Sequence, residues 1–297
     1  MRPQPPAGDI GTAHLAMLVF AAFVSGSFTV GEAITFGLDP ALVTFFRFGL
    51  GSVILAVVVA ARGHWHAPAP RDIARYILLS LPTVIFFILM FEALRHTSAV
   101  NTSAIFTLLP ALTALVAMPL LGQSLTAFQW LAMGIGAAGA AWIVFGGSIA
   151  HFLAFRLGPG ELIHLAGTFA YAFYAPLVRK LHRGEPMPLY TFNILAASTV
   201  VTGLYVLISG RNGDLAAAAP KVWLGIAYLA VFSTAATFFL SQYASLRLPS
   251  GKVMAYTYLI PAIVLIINTA LGKGLPSLSV VAGALVVASA MLLLQRA

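Results

Sequence analysis

Few residues in this 297-residue chain are equipped for chemistry. Sixteen Lys/Arg and eight Asp/Glu make 8% charged positions, and there is no cysteine. Thiolate catalysis, disulfides and Cys-ligated zinc or iron–sulfur sites are thereby excluded together. Nor does the spacing give a catalytic constellation: there is no His-Glu-x-x-His, no Gly-x-Ser-x-Gly, no P-loop and no acidic cluster for metal-assisted phosphoryl transfer. An enzyme is not expected, and neither a metal nor a cofactor. What remains is binding chemistry, in which hydroxyls and aromatic rings are interleaved along apolar runs.

The candidates for a binding cavity are Ser25, Thr83, Phe86, Phe87, Asn101, Tyr171, Tyr174, Thr237, Tyr256 and Tyr258, with Phe169, Ser233 and Thr234 beside them. Rings offer stacking faces and hydroxyls fix orientation, which suits a zwitterion with a planar side chain. The same residues also serve structure alone, since Ser and Thr bond along helices and Phe or Tyr fills packed surface. Asn101 stands apart because an amide in an apolar helix needs a partner. Pro82, Pro110 and Pro261 each remove a helical hydrogen bond and free a carbonyl, tolerable in a membrane only where it faces protein or a cavity.

Two basic residues are candidates for a gate or charge tether. Arg47 is the one Lys or Arg well inside an apolar run, where a charge costs about 2.5–3.5 kcal/mol on insertion scales. Either it snorkels and caps carbonyls, or it tethers a gate, with Glu32 or Glu92 as expected partner. Lys252 either anchors a helix end or meets the carboxylate of an arriving substrate. His14 and His164 begin equivalent runs, as interfacial polar groups or as proton carriers.

These residues must be positioned by membrane helices. A composition of 60% apolar residues with mean hydropathy +0.97 excludes an ordinary soluble domain and excludes disorder. The net charge of +8 has no dense basic patch, so it marks loops rather than a nucleic-acid surface. A helix crosses the roughly 30 Å hydrocarbon layer in about 20 residues. That rule predicts ten spans, at 13–33, 40–61, 72–93, 97–121, 126–147, 159–180, 187–209, 221–245, 250–271 and 277–295. The first is read as retained rather than as a cleaved signal. One side of this arrangement holds ten Lys/Arg, including Arg2, and the other five, including Arg156, which predicts both termini in the cytoplasm.

The chain also echoes itself. His14-Leu-Ala returns as His164-Leu-Ala, Phe86-Phe87 and Leu94-Arg95 as Phe238-Phe239 and Leu246-Arg247, and Leu108-Leu-Pro-Ala111 as Leu259-Ile-Pro-Ala262, at shifts of 150 to 152. Two units follow, 1–150 and 151–297. Each holds five spans, an odd number, so the second enters the membrane inverted. Inverted repeats are a common design of secondary transporters, with the substrate site at the repeat interface near the midplane.

Pro40-x6-Arg47, Ala93-Leu-Arg95 and Leu121-Gly-Gln-Ser-Leu-Thr-x2-Gln-Trp-x3-Gly134 resemble the EamA signature of the drug/metabolite transporter superfamily, over nearly the whole chain. The resemblance is strongest to bacterial inner-membrane exporters of aromatic amino acids. It implies a basket of ten helices, a central cavity and export of amino acids by alternating access. Gln123 departs from the Glu common in the family, at a loop position where it alters a helix cap. The alternative is export of other metabolites or cationic drugs; a cation pump is expected to place Glu deep in the first span, where this chain has Ser25. The small-residue runs 134–139 and 283–290 are expected to pack helices closely, within the chain or as a homodimer.

Overall fold

The computed structural model describes residues 7–122, 124–153, 157–211, 213, 215–245, 247–248 and 250–296. Arg2, Gln123, Arg156, Leu246 and Pro249 lie outside the described residues. Every regular element among those described is a helix: α1 (Ala7–Ile34), α2 (Pro40–Ala61), α3 (Pro70–Ala93), α4 (Ala99–Phe106), α5 (Leu109–Leu121), α6 (Ala127–Val144), α7 (Ile149–Leu153), α8 (Pro159–Ala172), α9 (Tyr174–Leu181), α10 (Met187–Ile208), α11 (Pro220–Ala230), α12 (Thr237–Ser245), α13 (Ser250–Ala255), α14 (Ile260–Ala270) and α15 (Leu278–Arg296). A π-helix, Val231–Ala236, joins α11 to α12, and a 3-10 turn, Tyr256–Leu259, joins α13 to α14.

Among the described residues nine helical stretches are long and apolar enough to cross a bilayer: most of α1, then α2, α3, Ala99–Leu121, α6, α10, Pro220–Ser241, Lys252–Ala270 and α15. The chain is an all-α integral membrane protein. Of the ten predicted spans, the sixth is the one that does not appear among these nine stretches as a single long helix. The predicted span 159–180 is two helices that meet at Phe173, just before Pro176, a residue with no N–H to give the Ala172 carbonyl. Pro110 and Pro261, at matching places in the two sequence repeats, likewise follow breaks, at Thr107–Leu108 and at the 3-10 turn. Pro82 stays inside a continuous α3. The connection expected at 148–158 contains the short helix α7.

Caps end the helices where the sequence supplies them. Asp39 accepts from the Ala41 N–H at 2.8 Å to start α2, and Thr126 with Gln129 forms a capping box on α6. Gly122, at φ +64°, closes α5 in the left-handed region open to glycine.

Packing follows the repeat. α2 packs on α10, α6 on α15 and α4 on α14; α3 packs on α8 while α1 packs on α12, and α3 packs on α10 while α2 packs on α11. Each pairing maps onto itself or onto another when the first set of spans is exchanged for the second. Ion pairs tie the two sets at both ends of the bundle. At one end, Lys273 pairs with Glu32, and Arg211 with Asp39 at 3.0 Å. At the other, Arg75 pairs with Glu185, and Arg183 with Asp72 at 2.7 Å. Between them lies the largest apolar cluster, built around Phe28, Phe86, Phe91, Phe106, Val222 and Ile260.

Candidate functional site

Two turns into α2, the Arg47 side chain is 2% exposed. Its Nε donates to Thr234 Oγ1 at 2.9 Å and its Nη2 to the Ser233 carbonyl at 3.1 Å, both in the π-helix. The guanidinium carbon sits 3.9 Å from the centroid of the Phe87 ring. Nη1 is buried with no hydrogen-bond partner. The partners expected from the sequence are corrected by this geometry. Glu32 holds Lys273 and accepts from the Ala99 N–H at 3.1 Å, while Glu92 faces Arg95 and His96. Those acids sit at the helix ends, and the π-helix reaches Arg47 first.

The π-helix stands where the second repeat matches Pro82 of the first; α3 runs through Pro82 without a break, so only the second copy departs from regular helix at that level. One extra residue in the turn turns carbonyls away from their usual donors, and π-bulges recur at functional sites for that reason. Arg47 takes up one such carbonyl. Ser233 Oγ donates to the Phe23 carbonyl at 3.0 Å, and Thr237 Oγ1 returns to Ser233 and Thr234 in its own turn.

Beside Arg47 the rings form a continuous stack. Phe86 stacks on Tyr171 with centroids 4.6 Å apart, and Tyr171 on Tyr174 at 5.4 Å and 7°. Phe87 meets Phe86 edge to face at 4.8 Å. Tyr171 also interacts electrostatically with Arg47. Four sequence candidates, Phe86, Phe87, Tyr171 and Tyr174, thus join Arg47 in one cluster that spans α2, α3, α8 and α9. Phe169 is instead 52% exposed on the outside of the bundle.

Toward the Glu32 end, Asn101 finds its partner in Glu161: Nδ2 donates to Oε1 at 2.8 Å, and Thr97 Oγ1 donates to the same oxygen. Glu161 is 8% exposed, a buried acid at the start of α8. The sequence places Glu161 only at a helix start; the cover provided by α4 is tertiary and invisible there. One turn deeper, the His164 ring is wholly buried among Phe28 and Phe86, with centroids 6.0 and 5.7 Å away.

The remaining candidates are dispersed. Ser25 donates to the Ala21 and Ile260 carbonyls at 2.6 and 3.3 Å, tying α1 to the start of α14. Thr83 is buried with its hydroxyl unpartnered. Tyr256 bonds His14 Nδ1 through its hydroxyl at 2.6 Å, and Tyr258 packs over Gly136, away from the stack. Lys252 is half-buried on α13, and its carbonyl accepts from Gln295 Nε2 at 2.9 Å. Tyr228, which the sequence reading passed over, lies against Gly26 so closely that a Cβ there stands 2.0 Å from its hydroxyl. Among the described residues no group of three or more His, Asp or Glu is placed to hold a metal ion.

The small-residue faces are used inside the chain. A Cβ on Gly139 meets the Gly283 carbonyl and the Val287 nitrogen at 3.0 Å, so α6 and α15 touch backbone to backbone. Gly134 faces open space.

The model of the EamA-like transporter family matches residues 11–145 and again 158–295. The chain is 26% identical over 279 residues to the uncharacterized transporter YyaM of Bacillus subtilis (strain 168), covering 92% of this chain and 90% of that protein. It is 26% identical over 269 residues to a probable terminal-alkyne amino-acid exporter of Streptantibioticus cattleyicolor, covering 89% and 88%. A solved crystal structure shares the fold with a TM-score of 0.70 at 17% identity, over 95% of this chain and 96% of that one.

Proposed function

The chain belongs to the EamA-like transporter family, and from that premise we propose that it exports amino acids, aromatic and other neutral ones, across the bacterial inner membrane. Both termini are cytoplasmic in this reading, which puts the Glu32 end outside. Transport proceeds by alternating access between the two inverted repeats, 1–150 and 151–297.

One observation carries the substrate reading. Arg47 Nη1 is a buried, unpartnered cationic donor beside the Phe86–Tyr171–Tyr174 stack. A buried guanidinium N–H without an acceptor costs free energy that a carboxylate recovers through a charge-assisted hydrogen bond. An incoming aromatic side chain exchanges a ring–ring contact for another of the same kind, so entry between Phe86 and Tyr171 costs little beyond rearrangement. A ligand with a carboxylate on Arg47 and a ring in the stack is an aromatic carboxylic acid, a class to which the aromatic amino acids belong. The similarity to a protein described as a probable amino-acid exporter supports the same class.

A carboxylate can take the free Nη1 donors together with the second N–H of Nη2, so it binds the end of the guanidinium that the π-helix leaves open while Ser233 and Thr234 keep their bonds. The test is flux of radiolabelled Trp, Phe, Tyr, Thr and Lys and of an organic cation in proteoliposomes. Saturable Trp and Phe flux is expected; saturable flux of the cation with none of the aromatic amino acids overturns the reading.

A further inference from the structure

His164 is an anomaly that amino-acid binding does not use. Its side chain is wholly buried, and neither Nδ1 nor Nε2 has a hydrogen-bond partner. The Thr102 carbonyl of α4 interacts with the ring but makes no hydrogen bond of good geometry to it. A neutral imidazole carries one donor and one acceptor, and burying both unpaired is costly. The comparison with its repeat mate sharpens this. His14 is satisfied by the Tyr256 hydroxyl, whereas at the matching place in the first repeat stands Ile105, which offers His164 nothing.

The charged and titratable groups around it are few. Glu161 lies one turn away on the same helix. Glu32 ends α1 and is held by Lys273; Glu92 ends α3 beside Arg95 and His96; Tyr171 and Tyr174 lie deeper, and Arg47 is separated from the ring by Phe86 and Phe87. α4 and α5 carry none. None of these groups bonds the imidazole, so an imidazolium here has no countercharge.

From this geometry we propose that His164 is a proton-binding site, loaded from the Glu32 end when α4 separates from α8, with Glu161 as its relay and countercharge. In the packed arrangement Glu161 is occupied by Asn101 and Thr97, and the imidazole lies among the rings of Phe28 and Phe86 with no countercharge. An unpaired buried charge costs several kcal/mol, so a protonated ring and this packing exclude one another. A proton that binds only the opened arrangement shifts the population toward it. Once Asn101 and Thr97 leave, the carboxylate is free to face the imidazolium three residues along the helix. The stack that receives substrate and the histidine that receives the proton share Phe86, so the two events are mechanically joined.

The proposal rests on the transporter family and not on the amino-acid substrate, and its test needs no substrate. Because the chain has no cysteine, Ala99→Cys is a clean reporter of the α4 face, and Leu275→Cys, fully exposed, corrects for thiol reactivity. The ratio of maleimide labelling rates, Ala99→Cys over Leu275→Cys, is measured in the full-length protein from about pH 8 to about pH 5, the window of an accessible imidazole. The ratio is expected to rise roughly tenfold as pH falls, and the rise is expected to vanish with His164→Gln. His164→Phe, which refills the aromatic surroundings, gives the same answer if the Gln variant does not fold. Glu161→Gln is expected to reduce the rise. A flat ratio in the unsubstituted background, or a rise that survives His164→Phe, overturns the proposal. Gradient-driven flux lost in His164→Phe while counterflow persists supports it further, whichever substrate is carried.

Discussion

Arg47 lies over the face of Phe87, 3.9 Å from the ring centroid, while the edge of its guanidinium grips the π-helix at Ser233 and Thr234. One side chain from the first repeat therefore joins α2, α3 and the one described π-helix of the second. A desolvated cation–π contact is worth about 2 kcal/mol or more, and the two hydrogen bonds add to it. Against these stands the cost of burying a guanidinium with Nη1 unsatisfied.

The near cancellation of those terms separates function from stability. Replacing a buried charge by an apolar isostere is often neutral, so Arg47→Met is expected to change thermal stability in detergent by no more than ~1 kcal/mol. The same variant is expected to lose amino-acid flux at least tenfold. Arg47→Lys keeps the charge but not the planar fork, and is expected to recover only part of the flux. Equal loss of stability and flux in Arg47→Met contradicts a recognition role.

Much of this was readable beforehand. Arg47 stands out in the sequence because a lone cation in an apolar run must find a partner, and Phe86, Phe87, Tyr171 and Tyr174 stand out as rings that offer stacking faces within apolar runs. Its partners were not readable. A π-helix leaves no signature in Val231–Ala236, and an acid at a helix end, such as Glu32, is the nearer guess when only spacing is known. Glu161 was missed for a similar reason, since burial by Asn101 and Thr97 is a contact across 60 residues. The span breaks are more legible, because proline lacks a donor wherever it stands; that Pro82 leaves α3 continuous while Pro176 follows a break in the sixth predicted span depends on packing.

Gly26 and Tyr228 form the tightest approach on α1. A methyl group at 26 stands 2.0 Å from the Tyr228 hydroxyl, which donates to the Phe23 carbonyl at 3.5 Å. Gly26→Ala is expected to push this ring aside and to destabilise by about 1–3 kcal/mol. Tyr228→Phe removes the nearest clashing atom and leaves the ring carbon Cζ at 2.9 Å, so the double variant is expected to recover part of the loss. A cycle of thermal unfolding in detergent reads the coupling; strictly additive effects contradict the contact.

The loop between α9 and α10 carries a pH-dependent tie. Burial opposes the charge on Glu185, but the Arg75 hydrogen bond, backbone donors and the Arg75 charge together hold its carboxyl down to about 2 from the ordinary 4.5. A lowered folded-state value means the stabilisation is present above the ordinary value and is lost as pH falls from about 4.5 through about 2. Thermal stability is therefore expected to fall across that window in the unsubstituted protein and to fall less steeply in Glu185→Gln. Because Glu185 is partly exposed, the difference is expected to shrink in high salt. Parallel pH profiles for the two proteins rule the tie out as a source of acid sensitivity.

Gly134 and Gly139 share one helix and one run of small residues, yet only one is in contact. At Gly139 an added Cβ meets backbone atoms of α15, the Gly283 carbonyl and the Val287 nitrogen, both at 3.0 Å, and backbone cannot rotate away. Nothing lies within 4 Å of a Cβ at Gly134. In a bilayer the hydrophobic effect does not hold helices together, so the closeness that small residues permit is itself the source of α6–α15 stability. Gly139→Ala is expected to part the helices and cost about 1–3 kcal/mol in detergent unfolding. Gly134→Ala relieves only the backbone entropy of glycine and is expected to stabilise by roughly 0.5–1 kcal/mol. If Gly134→Ala instead destabilises, and does so more at high protein concentration, that face is covered by a second copy of the chain.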